Sequence, residues 1–221
     1  MKTALQQLPF WPRLAPGEQA ALERSCRLVD YEAGQAVRTA GMDCLGVLLV
    51  NSGVLRVYLS SQEGREATIY RLHPGDVCVL TAACLMPDID FDVQIDAQEA
   101  SQVLLVPSAV FSPLAQSNVY VEAFLYRTAT QRFSAVLQAV ERMLFLTLEQ
   151  RVASFLLDEG ARQGGDVVRL TQEQLAQAIG SAREAVSRAL KKMEKAGWVE
   201  VCRGGVRLAD RPALYRLLAG A

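Results

Sequence analysis

The sequence is poor in histidine and has no long apolar run, and both absences exclude protein classes. One histidine occurs among 221 residues. No stretch reaches the ~18 consecutive apolar residues that a membrane-spanning helix needs. The first 17 residues, interrupted by Pro9, Pro12 and Pro16, contain no apolar segment typical of a signal peptide. We therefore expect a soluble cytoplasmic protein with no membrane partner.

Enzymes that depend on histidine are poorly supported. A cupin-type metal site needs several histidines and a carboxylate, and His73 is the sole histidine. A hydrolase with a serine or cysteine nucleophile would need His73 beside that nucleophile, and no nucleophile-elbow motif is present. We therefore expect a protein that is not an enzyme.

The cysteines do not form a recognisable framework. Their number is odd and no two have CxxC spacing, so neither a disulfide scaffold nor a zinc ribbon is indicated. Free thiols that act as small apolar side chains are expected in a cytoplasmic protein. The five are Cys26, Cys44, Cys78, Cys84 and Cys202.

The charge is unevenly distributed along the chain. Hydrophobic residues make up 51% and charged residues 21%, enough for a real core. The net charge is −1, yet the segment from Arg169 to Ala221 has ten Lys and Arg against five Asp and Glu. The rest has thirteen against nineteen. A basic C-terminal segment on an acidic body is typical of a DNA-binding module joined to a second domain.

Short apolar runs broken by glycine dominate the first half of the chain. Residues 45–50, the turn Asn51-Ser-Gly53 and residues 54–59 indicate strand, tight turn, strand. Residues 89–95 alternate apolar and polar, the period of a strand with one wet face. Many short strands predict an antiparallel, cupin-like β-roll over residues 1–117, and an α+β fold for the chain. The predicted strands are 45–50, 54–59, 67–72, 89–95 and 104–106.

The pattern changes to a helical period after Asn118, which can cap a helix. No glycine or proline interrupts residues 119–159, and apolar side chains recur at three- and four-residue spacing. A helix over residues 118–146 would be about 40 Å long, more than one small roll can cover. Its stripe therefore predicts a coiled-coil seam in a parallel homodimer, a long helix buried within one chain being the alternative. The predicted dimer-helix residues are Leu125, Val136, Val140 and Met143.

The last segment, residues 147–221, has the signature of a winged helix-turn-helix. Thr147 with Gln150, Thr171 with Gln174, and Ser181 with Glu184 have capping-box spacing. Gly180 separates two short helices. Two apolar segments, residues 198–202 and 206–208, lie on either side of a basic Arg203-Gly-Gly turn and are typical of two strands. Two capped helices joined at one glycine and followed by a hairpin predict a DNA-binding domain.

The outward residues of the second helix suit base reading. Arginine can donate two hydrogen bonds to guanine, and glutamate can accept from cytosine. Lysines further along suit phosphates, which position the protein without specifying sequence. The predicted base-reading residues are Arg183, Glu184, Ser187 and Arg188, and the predicted phosphate-binding residues are Gln172, Ser181, Lys191, Lys192 and Arg203.

These residues resemble the CRP/FNR regulators. Arg183, Glu184 and Arg188 resemble the base-reading trio of the cyclic-AMP branch, and Glu184-x-x-Ser187-Arg188 resembles the E-x-x-S-R motif of the oxygen-sensing branch. The turns at 31–34, 53–58, 64–66 and 72–76 resemble those of the family's β-roll. The resemblance implies a homodimer on a pseudo-palindromic site, an effector in the roll, and RNA polymerase as a partner.

The predicted sensor departs from the best-known branches. Cyclic-nucleotide binders hold the phosphate with an arginine after the Gly-Asp turn, but residues 72–126 contain seven acids and no Lys or Arg. We therefore do not expect a cyclic nucleotide. An iron–sulfur cluster would need Cys26, Cys44, Cys78 and Cys84 to converge, and a haem would need a ligand such as His73. Neither cofactor has positive support, and the metal content stays open.

Thiol chemistry at Cys78 and Cys84, close to the expected effector pocket, is a further open alternative. The sequence thus predicts a homodimeric, DNA-binding transcription regulator controlled by an effector or redox signal in the β-roll. The alternative is a dimeric sensing module that acts through protein contacts and does not bind DNA.

Overall fold

The computed structural model describes residues 2–39, 46–62, 66–79 and 93–220. Its contacts divide the chain into two compact units, one of Met1–Leu59 and Ile69–Val136, the other of Ser60–Thr68 and Leu137–Ala221. The mixed α+β fold is confirmed. The division falls inside the long helix, whereas the sequence suggested boundaries near residues 117 and 146. That three-part division stays a prediction.

The helices and strands that the sequence patterns indicated occur in the expected order, and further elements that were not predicted lie between and before them. In chain order they are α1 (Lys2–Leu5), the 3-10 turn Trp11–Arg13, α2 (Pro16–Ser25), β1 (Arg27–Tyr31), β2 (Ala36–Arg38), β3 (Val47–Ser52), β4 (Leu55–Ser60), β5 (Glu66–Leu72), β6 (Val77–Cys78), β7 (Gln94–Ala97), β8 (Ser101–Val106), α3 (Ser108–Ser117), α4 (Val119–Phe145), α5 (Leu148–Gln163), β9 (Val167–Arg169), α6 (Gln172–Ile179), α7 (Arg183–Lys195), β10 (Val199–Cys202), β11 (Gly205–Leu208) and α8 (Arg211–Ala219).

Unit 1 is built on two antiparallel sheets that share one apolar core. Their strand orders are β1-β8-β3-β6 and β2-β7-β4-β5. Leu48 and Leu104 from the first sheet and Leu55 and Ile95 from the second are all fully buried in that core. Buried and half-buried residues alternate along β7, whereas β3 has four consecutive buried residues, Val47–Val50, and is therefore covered on both faces.

The turn predicted at Gly53 exists, but the strands on either side of it do not form a hairpin. β3 pairs with β8 and β6, whereas β4 pairs with β7 in the other sheet. Gly53 has φ +82°, and a Cβ there would overlap the backbone of Ser101. Glycine therefore allows the chain to pass from one sheet to the other in close contact with β8.

The alternation predicted for residues 89–95 is seen where the structure describes it. Val93, Ile95 and Ala97 are buried, and Gln94 and Asp96 on the other face are half-buried. Residues 89–92 lie outside the described residues. Helices α2 and α3 were not predicted. Pro16 occupies the first turn of α2, where the missing N–H costs nothing.

Unit 2 packs helices α5 to α8 and a small sheet, in the order β10-β11-β9, around a second core. Leu156, Leu175, Leu190 and Met193 are fully buried in it. Residues 60–68 belong to this unit, where the Thr68 hydroxyl donates to the Gln177 carbonyl at 3.1 Å. Among the described residues, no helix has the length and apolarity that a membrane crossing requires.

Candidate nucleic-acid interface and sensor site

Helix α6 begins and ends as its sequence predicts. The Thr171 hydroxyl accepts from the Gln174 N–H at 3.1 Å, and the Gln174 side chain accepts from the Thr171 N–H at 2.8 Å. Gly180 ends the helix with φ +65°, a conformation that favours glycine. The capping box and the glycine turn are both confirmed, and together they fix the angle at which α7 leaves α6.

Helix α7 begins one residue later than predicted. Its N-cap is Ala182, and no side chain caps it, so the predicted capping box of Ser181 with Glu184 does not form. The physical reason is that Ser181 still belongs to the turn, where its N–H donates to the Ala176 carbonyl. The first N–H groups of α7 are therefore left without a side-chain cap beside Arg183.

The predicted base-reading residues share the outward face of α7. Val186, Leu190 and Met193 are fully buried on the opposite face, which holds the helix on the core of unit 2. Arg183, Ser187 and Lys191 recur every four residues, and Glu184 and Arg188 follow the same spacing beside them. All of these are exposed except Ser187, which is half-buried. The face offers cationic donors and one carboxylate acceptor to a partner.

The predicted phosphate-binding residues differ in their exposure and in whether they already have a hydrogen-bond partner within the protein. Lys191 and Arg203 are exposed, and Gln172 and Ser181 are half-buried near the starts of α6 and α7. The Lys192 ammonium donates to Glu149 of α5 at 2.8 Å. This hydrogen bond is the main reason that the pKa of Glu149 is lowered. Lys192 therefore has a carboxylate partner within its own unit, and a phosphate would have to compete with it.

The predicted wing is present. β10 and β11 pair antiparallel around the turn at Arg203 and Gly204. The Glu194 carboxylate at the end of α7 accepts from the Val201 N–H at 2.8 Å, which ties the wing to the second helix. β9 adds a third strand that was not predicted. The exposed Arg203 thus lies at the tip of a hairpin anchored to α7.

The long helix α4 carries an exposed apolar stripe. The Asn118 side chain accepts from the Tyr120 N–H at 3.1 Å at its start, and the helix ends at Phe145, close to the predicted hinge. The stripe has heptad spacing, which favours packing against a second helix. The α4 stripe consists of Val119, Tyr126, Phe133, Leu137, Val140 and Leu144, which are 42–70% exposed.

Only part of the predicted dimer seam lies on this stripe. Val140 belongs to it, and Met143 is 36% exposed close to it. Val136 is half-buried. Leu125 is only 5% exposed and packs in the core of unit 1, because it faces the β-roll. The helical period alone did not distinguish these two faces of α4.

The candidate sensor residues are partly described. Cys78 is fully buried, and His73 is half-buried at the turn before β6. Cys44 and Cys84 lie outside the described residues, so the two alternatives, thiol chemistry at Cys78 and Cys84 and a cluster of four converging cysteines, stay untested. Within the described ranges, no group of three or more His, Cys, Asp or Glu side chains has the arrangement of a metal site.

The structure brings Arg132 of α4 to the turn and strand that contain Asp76 and Cys78. Its guanidinium donates to the Val77 carbonyl at 3.0 Å and to the Asp76 carboxylate at 3.3 Å, and lies 5.1 Å from the centre of the Tyr70 ring. Sequence reasoning placed no basic residue near Cys78 because it considered only the neighbouring segment. Arg132 lies more than fifty residues further along the chain, and only the packing of α4 on the roll reveals it.

Comparisons with known proteins support this architecture. Residues 150–217 match the model of the Crp-like helix-turn-helix domain, and residues 28–118 match that of the cyclic nucleotide-binding domain. The crystal structure of a Eubacterium rectale protein assigned to the crp/fnr transcriptional regulators is 32% identical, with a TM-score of 0.92 over 97% of this chain and 99% of that one.

Two curated relatives match at lower identity. The CRP-like cAMP-activated global transcriptional regulator of Mycobacterium tuberculosis is 25% identical over 98% of this chain and 99% of its own length. The cAMP-activated global transcriptional regulator Vfr of Pseudomonas aeruginosa is 25% identical over 80% of this chain and 86% of its own.

Proposed function

Because this chain belongs to the CRP/FNR family of transcription regulators, we propose that it binds DNA sequence-specifically as a homodimer and is controlled by a signal sensed in its β-roll. The observation that carries the proposal is the outward face of α7, where Arg183, Glu184 and Arg188 are all exposed on a firmly packed helix. The two α7 helices of a dimer would enter successive major grooves of one pseudo-palindromic site.

The chemistry of α7 separates base reading from phosphate binding. Arg183 lies in the first turn and Arg188 in the next, so both suit bidentate donation to guanine O6 and N7. Glu184 suits acceptance from cytosine N4. Lys191 and the wing residue Arg203 are exposed further out and suit phosphates. Lys192 contributes less than its charge suggests, because its ammonium already donates a hydrogen bond to the Glu149 carboxylate.

The α4 stripe supports the homodimer. Its six apolar side chains repeat with heptad spacing along one helix, and a second copy of the same helix would cover them. A twofold interface is self-complementary, so one stripe is sufficient to build it. The dimer would place two α7 helices on one DNA and double the number of contacts.

Cyclic AMP, which activates the M. tuberculosis and P. aeruginosa relatives according to their names, is not the expected effector of this chain. Residues 72–126 supply seven carboxylates and no cation for a phosphodiester, and the Arg132 guanidinium, which comes from outside this segment, already donates to Asp76 and to the Val77 carbonyl. Thiol chemistry at Cys78 and Cys84 is the alternative signal. We expect the protein to act in the cytoplasm, where its DNA is, and to have RNA polymerase as a partner.

The test begins with selection of DNA sites from a random duplex pool, followed by fluorescence anisotropy on the selected site and on a scrambled duplex. The affinity should fall steeply with salt and remain higher for the selected site. Arg183→Ala should cost ~1–3 kcal/mol on the selected site, roughly 5- to 150-fold in Kd, and relax the preference at one base pair.

Lys191→Ala is the matched control on the same helix face. It should weaken binding to both duplexes about equally and reduce the slope of log Kd against log salt by about 1. If both variants lost the same factor on both duplexes, the assignment of roles would be wrong. If no site were enriched and no salt dependence appeared, the protein would be a sensing module that acts through protein contacts.

A further inference from the structure

The turn between α6 and α7 is held by an arginine that belongs to neither helix. The guanidinium of Arg151, on α5, donates from Nη1 to the carbonyl of Ile179 at 3.0 Å. Ile179 is the last residue of α6, and the turn at Gly180 follows directly. Since a helix leaves its last carbonyls without intrahelical partners, Arg151 supplies a donor that the sequence around the turn does not.

The start of α5 places Arg151 firmly. In the capping box before it, the Thr147 N–H donates to the Gln150 side chain at 2.9 Å, and the Gln150 N–H donates to the Thr147 hydroxyl at 3.2 Å. The Gln150 side chain also donates to the Leu217 carbonyl of α8 at 3.0 Å. Arg151 follows Gln150 directly, so its backbone lies in a helical turn that is tied to a second helix.

Helix α7 depends on this turn for its exact orientation. Its N-cap is Ala182, and no side chain caps it. Its buried residues Val186 and Leu190 hold it on the core of unit 2, but apolar contacts are not directional and tolerate a small rotation of the helix about its own axis. The position of the turn therefore decides the direction in which Arg183 and Arg188 point.

We propose that Arg151 is a positioning residue for base reading. Through its hydrogen bond to the Ile179 carbonyl it fixes the turn and the rotation of α7, and it thereby determines how well the protein distinguishes its own site from other DNA. The effect on DNA rests on the proposed regulator function, whereas the effect on the turn does not.

Stability alone does not account for an arginine at this position. The side chain is half-buried, and no group in the described part of the chain accepts a hydrogen bond from its buried Nε. A buried donor without an acceptor destabilises a fold, and an apolar side chain of similar volume is often tolerated in its place. Arg151→Met should therefore leave the Tm of the full chain within roughly 3 °C of the original. This variant can separate positioning from folding.

The first measurement compares Kd on the selected and the scrambled duplex by fluorescence anisotropy at one salt concentration. The paired hydrogen bonds that Arg183 and Arg188 can donate to guanine need a correct distance and angle, whereas phosphate contacts carry no sequence information. Arg151→Met should therefore lower the preference for the selected duplex about tenfold. Its Kd on the scrambled duplex should stay within about twofold of the original.

Two further variants identify the cause. Arg151→Lys keeps a cationic donor that can reach the Ile179 carbonyl, so it should retain more of the preference than Arg151→Met does. Arg162→Met is the matched control at the other end of α5, where the exposed Arg162 side chain donates to Glu159 of the same helix. It removes one cation from unit 2 as well, and it should leave the ratio of the two Kd values unchanged.

Hydrogen exchange of the full chain without DNA, followed by mass spectrometry, observes the turn itself. In Arg151→Met the amides of residues 180–185 should exchange several-fold faster than in the original, while those of residues 152–157 should not change. The proposal is overturned if the exchange of the turn is unchanged, if Arg151→Met keeps its preference, if Arg151→Lys loses as much as Arg151→Met, or if both Kd values rise by the same factor. The last result would make Arg151 a phosphate-binding charge. A failure of the proposed function would appear in the original protein, as binding without site preference, whereas these outcomes appear only when the variants are compared with it.

Discussion

Phe133 is the best single point at which to test the α4 dimer. It lies in the middle of the stripe and is 62% exposed in the chain alone. A phenylalanine presents ~200 Å² of side-chain surface, so a second copy would cover about 120 Å² of it. At ~25 cal/mol per Å², burying this area contributes ~3 kcal/mol per chain to the free energy of dimerisation, and a twofold dimer buries one Phe133 from each chain.

Phe133→Ala should therefore weaken the dimer strongly. Alanine keeps roughly a third of the covered area, so the loss is ~4 kcal/mol and the dimer Kd rises about a thousandfold. Analytical ultracentrifugation over a dilution series measures this Kd, and circular dichroism should show an unchanged fold, because Phe133 is outside the core of unit 1.

Tyr120→Ala is the control for this experiment. Tyr120 is also aromatic, on the same helix and 51% exposed, but it faces about 140° away from Phe133 at 100° per residue. Its removal should leave the dimer Kd within a few-fold of the original. A Phe133→Ala protein that dimerises as tightly as the original would refute the stripe as the interface.

Two further predictions concern stability and reactivity. Thr171→Ala removes the capping box of α6 and should lower the free energy of unfolding by about 1 kcal/mol in urea denaturation. Ser181→Ala should leave that free energy unchanged, because the N-cap of α7 is Ala182 and the Ser181 side chain does not cap the helix. Equal losses in the two variants would contradict the observed caps. Burial raises the pKa of the Cys26 thiol from 9.0 to about 11, so Cys26 should resist iodoacetamide in the native protein at about pH 8, while the half-exposed Cys202 is alkylated, as mass spectrometry of the labelled peptides would show. Early labelling of Cys26 would count against its burial. The contribution of the neutral, buried Cys26 thiol to the free energy of unfolding is fully present below about pH 9 and is lost as the pH rises through about 11.

Local signals predicted the DNA-binding half of the chain well. Threonine three residues before glutamine fixed the start of α6, and a glycine in the left-handed conformation fixed its end. These are interactions between neighbours in sequence, so a pattern records them directly. The same rule failed at Ser181, because the turn used its backbone and moved the start of α7 by one residue.

The sensor half depended on contacts between distant residues. The turn at Gly53 was correct, yet β3 and β4 entered different sheets, because strand pairing with β8 and β7 decides the partner and the turn does not. For the same reason, the helical period identified α4 but did not show that Leu125 faces the roll and Phe133 faces away.

The sequence by itself determined the elements, the helix-turn-helix with its wing, and the exposed Arg183, Glu184 and Arg188 that suit DNA. Propensity, capping and period act within a few residues of each other, and a single sequence contains that information. Only the tertiary structure decided which apolar face of α4 is exposed and that Arg132, Tyr70 and Cys78 meet. Those juxtapositions are set by the packing of α4 on the roll, and residues so far apart in the sequence leave no local signature of the contact.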